Sequence, residues 1–362
     1  MTFYLYSGAG NTFVVLDGRE IISEMEAGAP EQEHCKCHED ADGECGCRGG
    51  EEHHCRHEHP AEAEHHCCGH HGGGCCHGGG QSGWTSYVQD VCDHFKTDGL
   101  MLLMPSDHFD FEMAFFNPDG TGGMMCGNGG RCIVAFADYL GIKPKDGKVY
   151  HFVAGDGPHT GEILDDDGVI KTVRIRMVDV SAFCPVLDGW FVDTGTRHFV
   201  KFVPEVEGLD VAAEGKKYRW DPVFAPIGSN ANFVKIEPGR LVVRTFEKGV
   251  EGETLACGTG ITASCIAAYC HSISNPLHPQ GTVGRTPQTP CLDSFPFEET
   301  PDGRVIVKVR AREDDLQVEF RPVYTGDGPA GGADYPAADS VATLAGFTDV
   351  LLTGPAKMFG KE

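Results

Sequence analysis

Two short segments of the sequence place a cysteine immediately before a Gly-x-Gly turn. The first is Cys126-Gly127-Asn128-Gly129, and the second is Cys257-Gly258-Thr259-Gly260. Each follows a predicted strand and opens a predicted helix. A helix N-terminus carries unpaired N–H groups and about half a positive charge. This setting predicts a thiol with a pKa below its usual value of about 8.5, beside N–H groups that can bind a carboxylate.

The repetition of this unit indicates two similar halves related by a pseudo-twofold axis. Upstream, residues 10–14 match residues 229–234 loosely. Two halves that face each other would bring the two thiols to opposite faces of one substrate. One thiolate could then remove an α-proton while the other thiol returns a proton to the opposite face, which inverts a stereocentre without a cofactor. A buried structural cysteine is the alternative interpretation of either motif alone.

The surrounding sequence predicts an α/β (α+β) fold of short strands and few helices. Apolar residues at helical spacing predict helices over 86–95, from about 127 to 140, and from about 258 to 269. Strands are predicted on both sides of each helix, and they include residues 100–104, 230–236 and 241–247. The natural place for a site is between the two halves.

Composition narrows the class of protein. The chain has 362 residues, a size that fits two domains, and a formal net charge of −25 argues against a nucleic-acid partner. The N-terminal residues show no basic and apolar signal-peptide pattern, and no stretch of about 18 or more apolar residues occurs. We therefore expect a cytoplasmic protein with no membrane partner.

Residues 29–80 form a segment of unusual composition. It contains nine of the 17 cysteines, together with many histidines and glycines. With few apolar residues it cannot bury enough surface to fold alone, so we expect a disordered insertion within the first half. Thiol and imidazole groups can bind Zn²⁺ or Cu(I), and the candidate ligands with the closest spacing are Cys35, Cys37, His38, Cys45 and Cys47.

Several motifs together resemble the diaminopimelate epimerase family. These are Gly8 to Asp17 at the start, Phe116 to Gly120 followed by Met125 to Cys132, Phe246 to Val250 followed by Glu253 to Gly260, and Leu352 to Ala356 near the end. The resemblance implies interconversion of LL- and meso-diaminopimelate, in the synthesis of lysine and peptidoglycan precursors, without a cofactor. It also implies two pseudo-symmetric halves, each a mostly antiparallel sheet wrapped round a central helix. We place the halves at 1–182 and 183–345, with 346–362 as a strand that returns to the first half.

The resemblance also implies the roles of individual residues. Cys126 and Cys257 match the two catalytic bases. The matching substrate-binding residues are Asn11, Asn117, Gly127, Asn128, Asn230, Glu247, Lys248, Gly258 and Thr259. Thr196 and His198 are further candidates, with His198 expected to orient Glu247 or the substrate.

The sequence departs from the family pattern at two of these positions. Thr196 stands where the family has an asparagine, and Lys248 stands where it has an arginine. A lysine lacks the two-pronged guanidinium that suits a carboxylate. The reaction type is therefore predicted more firmly than the substrate, and a cofactor-independent racemase of another amino acid stays open.

One further alternative comes from a different class of protein. The chain could instead be a metal-binding protein that uses the 29–80 insertion, although the intact cysteine pair argues against this. We expect a small amino-acid substrate, a homodimer, and metal ions only on the insertion.

Overall fold

The computed structural model describes residues 1–21, 79–123, 125–274, 295–325 and 343–362. Its helices are α1 (Gly79–Phe95), α2 (Gly127–Tyr139), α3 (Val211–Arg219) and α4 (Gly258–Ile273), with a 3-10 helix at Pro222–Phe224. Strands β1 to β9 are Tyr4–Gly8, Asn11–Asp17, Leu100–Met104, Phe111–Phe116, Tyr150–Ala154, Gly157–Asp166, Ile170–Arg176, Phe183–Val186 and Gly189–Asp193. Strands β10 to β17 are Arg197–Phe202, Asn230–Glu237, Arg240–Glu247, Gly252–Thr254, Phe297–Glu299, Val305–Arg310, Asp315–Thr325 and Thr343–Lys361.

The first half is a closed ring of strands. Pairing runs from β1 through β2, β3, β4, β5, β6 and β7 to β17, and β17 pairs with β1 again. Only β2–β3 and β4–β5 are parallel, and each of these pairs needs a crossover. Helix α1 lies on the first crossover and α2 on the second.

The second half repeats this plan. Pairing runs from β8 through β9, β10, β11, β12, β15 and β16 to β17, and a single bridge between Val180 and Phe347 brings the two ends together. The parallel pairs are β10–β11 and β12–β15, with α3 and α4 on the crossovers. The predicted pseudo-symmetric halves with mostly antiparallel sheets are therefore confirmed.

The two central helices owe their position to their composition. Every residue of α2 from Gly127 to Ala137 is buried, and α4 is buried over nearly its whole length. Helices that are apolar or small on all sides are stable only inside a core. Together with the inward faces of the strands they form one large hydrophobic cluster.

Strand β17 joins the two halves. Its residues 343–353 pair with β16 of the second half, and from Gly354 the strand pairs with β7 and then with β1 of the first half. The exchange of partners falls at Thr353–Gly354, beyond the residue 346 at which we expected the return to begin.

Two sequence interpretations need correction. The match of residues 10–14 with 229–234 is wrong, because Asn11 opens β2 whereas Asn230 opens β11, and the order of pairing makes β11 the equivalent of β3. Helix α1 begins at Gly79, earlier than the predicted residue 86 and inside the segment assigned to the insertion. Within the described ranges, no helix is long and apolar enough to cross a membrane.

Candidate active site

The N-termini of the two central helices meet between the halves. Cys126 is the N-cap residue of α2, and Cys257 is the N-cap residue of α4. The glycines that follow them allow a close approach: a Cβ added to Gly258 would lie 3.4 Å from the Cα of Gly127 and 3.0 Å from Leu352 Cδ2. Both cysteines are free thiols. The structure therefore places the two predicted bases on helix ends that face one another.

Each sulfur has its own hydrogen-bond partner. The backbone N–H of Gly129 donates to Cys126 Sγ at 3.1 Å. Cys257 Sγ lies 3.3 Å from the hydroxyl oxygen of Thr259. The first thiol is thus held by the helix backbone and the second by a side chain.

The acidity of the thiols differs from the expectation. Burial raises the pKa of Cys126 and raises that of Cys257 to about 12, and the nearby Glu247 carboxylate adds to both shifts. The prediction that the helix ends lower these pKa values below the usual range is therefore wrong for the protein alone. A low dielectric disfavours the thiolate more than the helix ends favour it.

Glu247 lies where its charge reaches both sulfurs. It ends β12 and accepts a hydrogen bond of 2.8 Å from the hydroxyl of Thr254 on β13. Burial, and to a lesser extent the charge of Asp98, raises the pKa of Glu247. Its environment consequently favours the neutral acid more than an exposed glutamate would.

His198 is fully buried, and its hydrogen-bond partners determine which ring nitrogen carries the proton. The side-chain amide of Asn232 lies 3.1 Å from His198 Nδ1, and its other contacts, with Phe199 and Thr245, orient it as a donor. Nε2 therefore carries the hydrogen and donates to the Thr259 hydroxyl at 3.0 Å. Burial, assisted by Lys248, lowers the pKa of His198 to about 3. A neutral imidazole thus turns the Thr259 hydroxyl towards Cys257.

This contact changes the role expected of His198. Its ring hydrogen-bonds Thr259 and Asn232, whereas Glu247 bonds Thr254. The histidine acts on the second thiol through a hydroxyl group, and it does not orient Glu247.

The remaining predicted residues fall into two groups. Asn128 donates to Asn11 Oδ1 at 2.5 Å and to the carbonyl of Ala256 at 3.1 Å, so the residue beside the first thiol bonds the residue before the second. Asn230 donates to the Arg197 carbonyl and accepts from the backbone N–H of Lys248, both at 2.8 Å. The contacts of Asn128 join the two helix ends to β2, whereas those of Asn230 join β11 to β10 and to the end of β12.

Asn117 and Thr196 lie at turns. The side chain of Asn117 donates to the Thr121 hydroxyl at 3.0 Å, in the loop that leads towards Cys126. The carbonyl of Thr196 accepts from the backbone N–H of Thr194 at 3.1 Å. Neither side chain is bonded to a thiol-bearing helix end within the described residues.

Sequence reasoning missed several residues that hold the site. Asn232 orients His198, Thr254 bonds Glu247, and Asp98 accepts from Asn11 and from the backbone of Thr12. Asn232 could have been found, because it stands two residues after Asn230 and so faces the same side of the strand. Asp98 carries no such signal, since its approach to Asn11 depends on the parallel pairing of β2 with β3.

Within the described part of the chain, no group of three or more His, Cys, Asp or Glu residues could hold a metal ion. The candidate ligands Cys35, Cys37, His38, Cys45 and Cys47 lie outside it. Their metal binding stays a prediction.

Comparisons with known proteins agree with this architecture. In solved structures, the chain is similar over its whole length to a PhzF-family phenazine biosynthesis protein from Bacillus anthracis, with a TM-score of 0.54, 10% identity and 98% of that chain covered. It is also similar to a probable proline racemase from Agrobacterium radiobacter, with a TM-score of 0.50, 14% identity and 92% of that chain covered. At such low identity these likenesses show the fold alone.

Similarity in sequence identifies the family, which similarity in fold does not. The family model described as diaminopimelate epimerase matches residues 190–276. Diaminopimelate epimerase from Chlorobaculum tepidum is 44% identical over 178 residues, which cover 48% of this chain and 67% of the relative. The enzyme from Flavobacterium psychrophilum is 41% identical over 189 residues, which cover 51% of this chain and 70% of the relative.

Fold, site and relatives together define the class: the protein is an isomerase, an epimerase built from two facing halves. More particularly, the chain belongs to the diaminopimelate epimerase family.

Proposed function

We propose that this chain interconverts LL- and meso-2,6-diaminopimelate by proton transfer between two thiols and the α-carbon. The observation that carries the proposal is the pair of N-cap cysteines on helix ends that meet between the halves. One helix end with one thiol could serve many reactions, but two opposed thiols suit the inversion of a stereocentre.

The helix ends supply the binding site for the reacting carboxylate. The first N–H groups of a helix have no acceptor within it, and Gly129 N–H already donates to Cys126. The N–H groups of Gly127, Asn128, Gly258 and Thr259 belong to the first turns of the two facing helices, and we assign the reacting carboxylate to them. A carboxylate bound there also carries the negative charge that grows when the α-proton leaves, and donors aimed at that charge lower the barrier.

Proton transfer then proceeds in a balanced exchange. The thiolate on one side takes the α-proton and becomes a thiol, while the thiol on the other side gives its proton to the opposite face of the same carbon and becomes a thiolate. General acid–base catalysis of this kind contributes about 10²- to 10⁴-fold per group. The charge pattern of the site is reversed at the end of each turnover.

The substrate itself helps to form the thiolate. Burial raises the pKa of both thiols in the protein alone. The α-ammonium group of a bound amino acid brings a positive charge close to both sulfurs, and a nearby opposite charge favours the ionised form.

The distal end of the substrate would contact Asn11, Asn117, Asn230, Glu247 and Lys248. Lys248 has no carboxylate within ion-pair distance among the described residues, so its ammonium group is available to a ligand carboxylate. Thr196 and Lys248 offer fewer hydrogen bonds than the family's asparagine and arginine. This difference favours a second candidate, the epimerisation of another amino acid by the same chemistry.

One assay separates these two candidates. Purified protein is incubated in D₂O with LL-diaminopimelate, meso-diaminopimelate and a panel of other amino acids, and α-deuteration and configuration are followed by NMR and chiral chromatography. We expect inversion with deuterium uptake for diaminopimelate alone. Faster exchange with another amino acid would replace the proposed substrate, and no exchange with any would refute the proposed chemistry.

The proposal places the enzyme in the cytoplasm, in the synthesis of lysine and peptidoglycan precursors, as a homodimer without a cofactor. Metal binding by residues 29–80 is a separate proposal, and catalysis does not depend on it.

A further inference from the structure

Arg131 is a completely buried cation in the first turns of α2. Its side chain is 0% exposed and is the largest of the fully buried side chains in the part of the chain that the structure describes. Within the described residues no carboxylate lies at ion-pair distance from it, and Asp314 is the carboxylate whose charge reaches it. Buried arginines are normally paired with an acid, so this one calls for a functional explanation.

All hydrogen bonds of the guanidinium go to neutral oxygen atoms. Nη1 donates to the Gly127 carbonyl at 3.1 Å, Nη2 to Asn128 Oδ1 at 2.8 Å, and Nε to the Pro355 carbonyl at 3.2 Å. The side chain is thus satisfied in its hydrogen bonds while its charge stays uncompensated. That charge acts on Cys126 and favours its thiolate.

The same side chain links the two helix ends. Arg131 holds Oδ1 of Asn128, and the Nδ2 of Asn128 donates to the carbonyl of Ala256, the residue before Cys257. The C-terminal strand is shaped to receive the guanidinium, because a Cβ at Gly354 would lie 3.1 Å from Nε and 3.2 Å from Cζ of Arg131. A series of contacts therefore connects β17, through Arg131 and Asn128 of α2, to the residue before the second thiol.

The second half has a neutral group in the equivalent place. Thr262 stands five residues after Cys257, as Arg131 stands five after Cys126, and its hydroxyl donates to the Gly258 carbonyl at 2.9 Å. Arg131 makes the same contact with the Gly127 carbonyl. The two helix ends are thus alike in hydrogen bonding and different in charge.

We propose that Arg131 is a positioning residue that fixes Asn128 between the helix ends and makes the two thiols unequal, so that Cys126 ionises before Cys257 and acts as the first base. This inference rests on the proposed function, because it assigns the starting proton positions of that reaction.

The other groups around the thiols do not create the inequality. Glu247 faces both sulfurs and disfavours both thiolates. A charge on Cys126 also disfavours ionisation of Cys257. Cys132 is buried beside Arg131. His198 is neutral and acts on Cys257 through the Thr259 hydroxyl. Arg131 is the charged group that reaches one thiol and favours its ionisation.

The first test uses the unmodified protein without substrate. Iodoacetamide labelling is measured from pH 7 to 12, and mass spectrometry quantifies the peptides that contain Cys126 and Cys257. The midpoint of the pH dependence is compared, not the rate, because Cys257 is more buried than Cys126. We expect the Cys126 midpoint to lie at least one pH unit lower, a tenfold difference in thiolate fraction. Equal midpoints, or a lower midpoint for Cys257, would overturn the proposal.

Variants separate charge from hydrogen bonding. Arg131→Gln should raise the Cys126 midpoint by about one pH unit and leave the Cys257 midpoint in place. Arg131→Lys keeps the positive charge but cannot make the same set of hydrogen bonds as a guanidinium. It should preserve the Cys126 midpoint and lower kcat/KM at least tenfold. The control Arg174→Gln removes a half-buried guanidinium that is paired with Glu162 and Glu319, and it should change neither midpoint.

A purely structural role of Arg131 would give a different pattern. Arg131→Gln would then shift both midpoints equally or neither, and either result contradicts the proposal. Unimpaired turnover by Arg131→Lys would contradict the proposed role of Arg131 in positioning Asn128. If Arg131→Gln fails to fold, the midpoints of the unmodified protein and of Arg131→Lys decide. Because the labelling needs no substrate, a wrong substrate assignment would leave its result unchanged.

Discussion

At the scale of single residues, the two N-cap thiols show that burial can outweigh the effect of a helix N-terminus on a pKa. A helix N-terminus stabilises a negative charge by about 0.3–1 kcal/mol, which is less than one pKa unit. Full burial of an ionisable group moves its pKa by up to about 3–5 units in the other direction. The raised pKa values of Cys126 and Cys257 follow from this comparison. The motif predicts the position of a helix end correctly but carries no information about how much water surrounds it.

The neutral state of His198 leads to a prediction about stability and pH. Its pKa is about 3 in the folded protein and near 6.5 when unfolded, so between these values the unfolded chain binds more protons. The stabilising contribution is complete above pH 6.5 and is lost as pH falls towards 3. It should amount to about 2 kcal/mol between pH 7.5 and 5.

The measurement is the free energy of unfolding in urea at the two pH values, for the unmodified protein and His198→Gln. The stability difference between them should shrink by about 2 kcal/mol from pH 7.5 to pH 5. His108→Gln, which replaces an exposed histidine, is the matched control and should show no such change. A difference that is independent of pH would mean that His198 is not held neutral.

The residues of the candidate site could be predicted from sequence only in part. Cys126, Cys257 and the glycines after them stand in a repeated pattern whose chemistry follows from helix ends. Asp98 and the partnership of His198 with Thr259 could not be predicted, because they depend on which strands lie side by side. Arg131 is visible in the first motif, yet only the structure shows that it is buried without an acid partner.

At the scale of elements, the close approach of α2 and α4 is the feature that makes one site from two halves. It depends on glycine, since a side chain at the first helical position would fill the space between the helix ends. A Cβ at Gly258 would lie 3.0 Å from Leu352 Cδ2 and 3.4 Å from Gly127 Cα. These contacts are tight but involve a flexible leucine, so the fold can adapt to them.

Gly258→Ala should therefore impair catalysis more than folding. We expect kcat/KM to fall at least tenfold, because the methyl group displaces N–H groups from the reacting carboxylate. The free energy of unfolding should change by less than about 2 kcal/mol, because overpacking and better helix propensity oppose each other.

Steady-state kinetics and thermal unfolding of Gly258→Ala test this, with Gly122→Ala as the control. A Cβ at Gly122 would meet nothing within 4 Å, so this variant should retain normal activity. Unimpaired turnover by Gly258→Ala would show that the helix ends need not approach so closely.

The elements themselves were predictable to different degrees. Apolar spacing predicts α2 and α4, and Gly141 ends the first of these in a left-handed conformation with φ 76°. The closure of each ring was not predictable from pattern, because it depends on β17 pairing with β16, β7 and β1 in turn. Local sequence specifies a strand but not its neighbours.

At the scale of the whole molecule, we predict that catalysis does not require the cysteine-rich segment. All motif residues and all residues of the two central helices lie outside residues 29–78. The segment falls on the connection between β2 and α1, and a change in the length of a connection alters the free energy of folding only slowly.

Replacement of residues 29–78 by a short Gly/Ser linker should leave kcat/KM within about twofold of the unmodified enzyme. It should also remove most binding of Zn²⁺ or Cu(I), since nine of the 17 cysteines are lost. Kinetics and metal stoichiometry of the same preparation test both statements. A large loss of catalysis in a folded deletion variant would show that the segment contributes to the site.

The central claim is that two thiols act on opposite faces of one α-carbon. Its most direct test is NMR of diaminopimelate in D₂O with the unmodified enzyme, Cys126→Ser and Cys257→Ser, with circular dichroism to verify folding. The account predicts that the unmodified enzyme places deuterium in the inverted product. Each serine variant should lose inversion by at least about 10²-fold, because its acid–base group on one face is gone. A folded single variant that retains more than about a tenth of the inversion rate would contradict the two-thiol account.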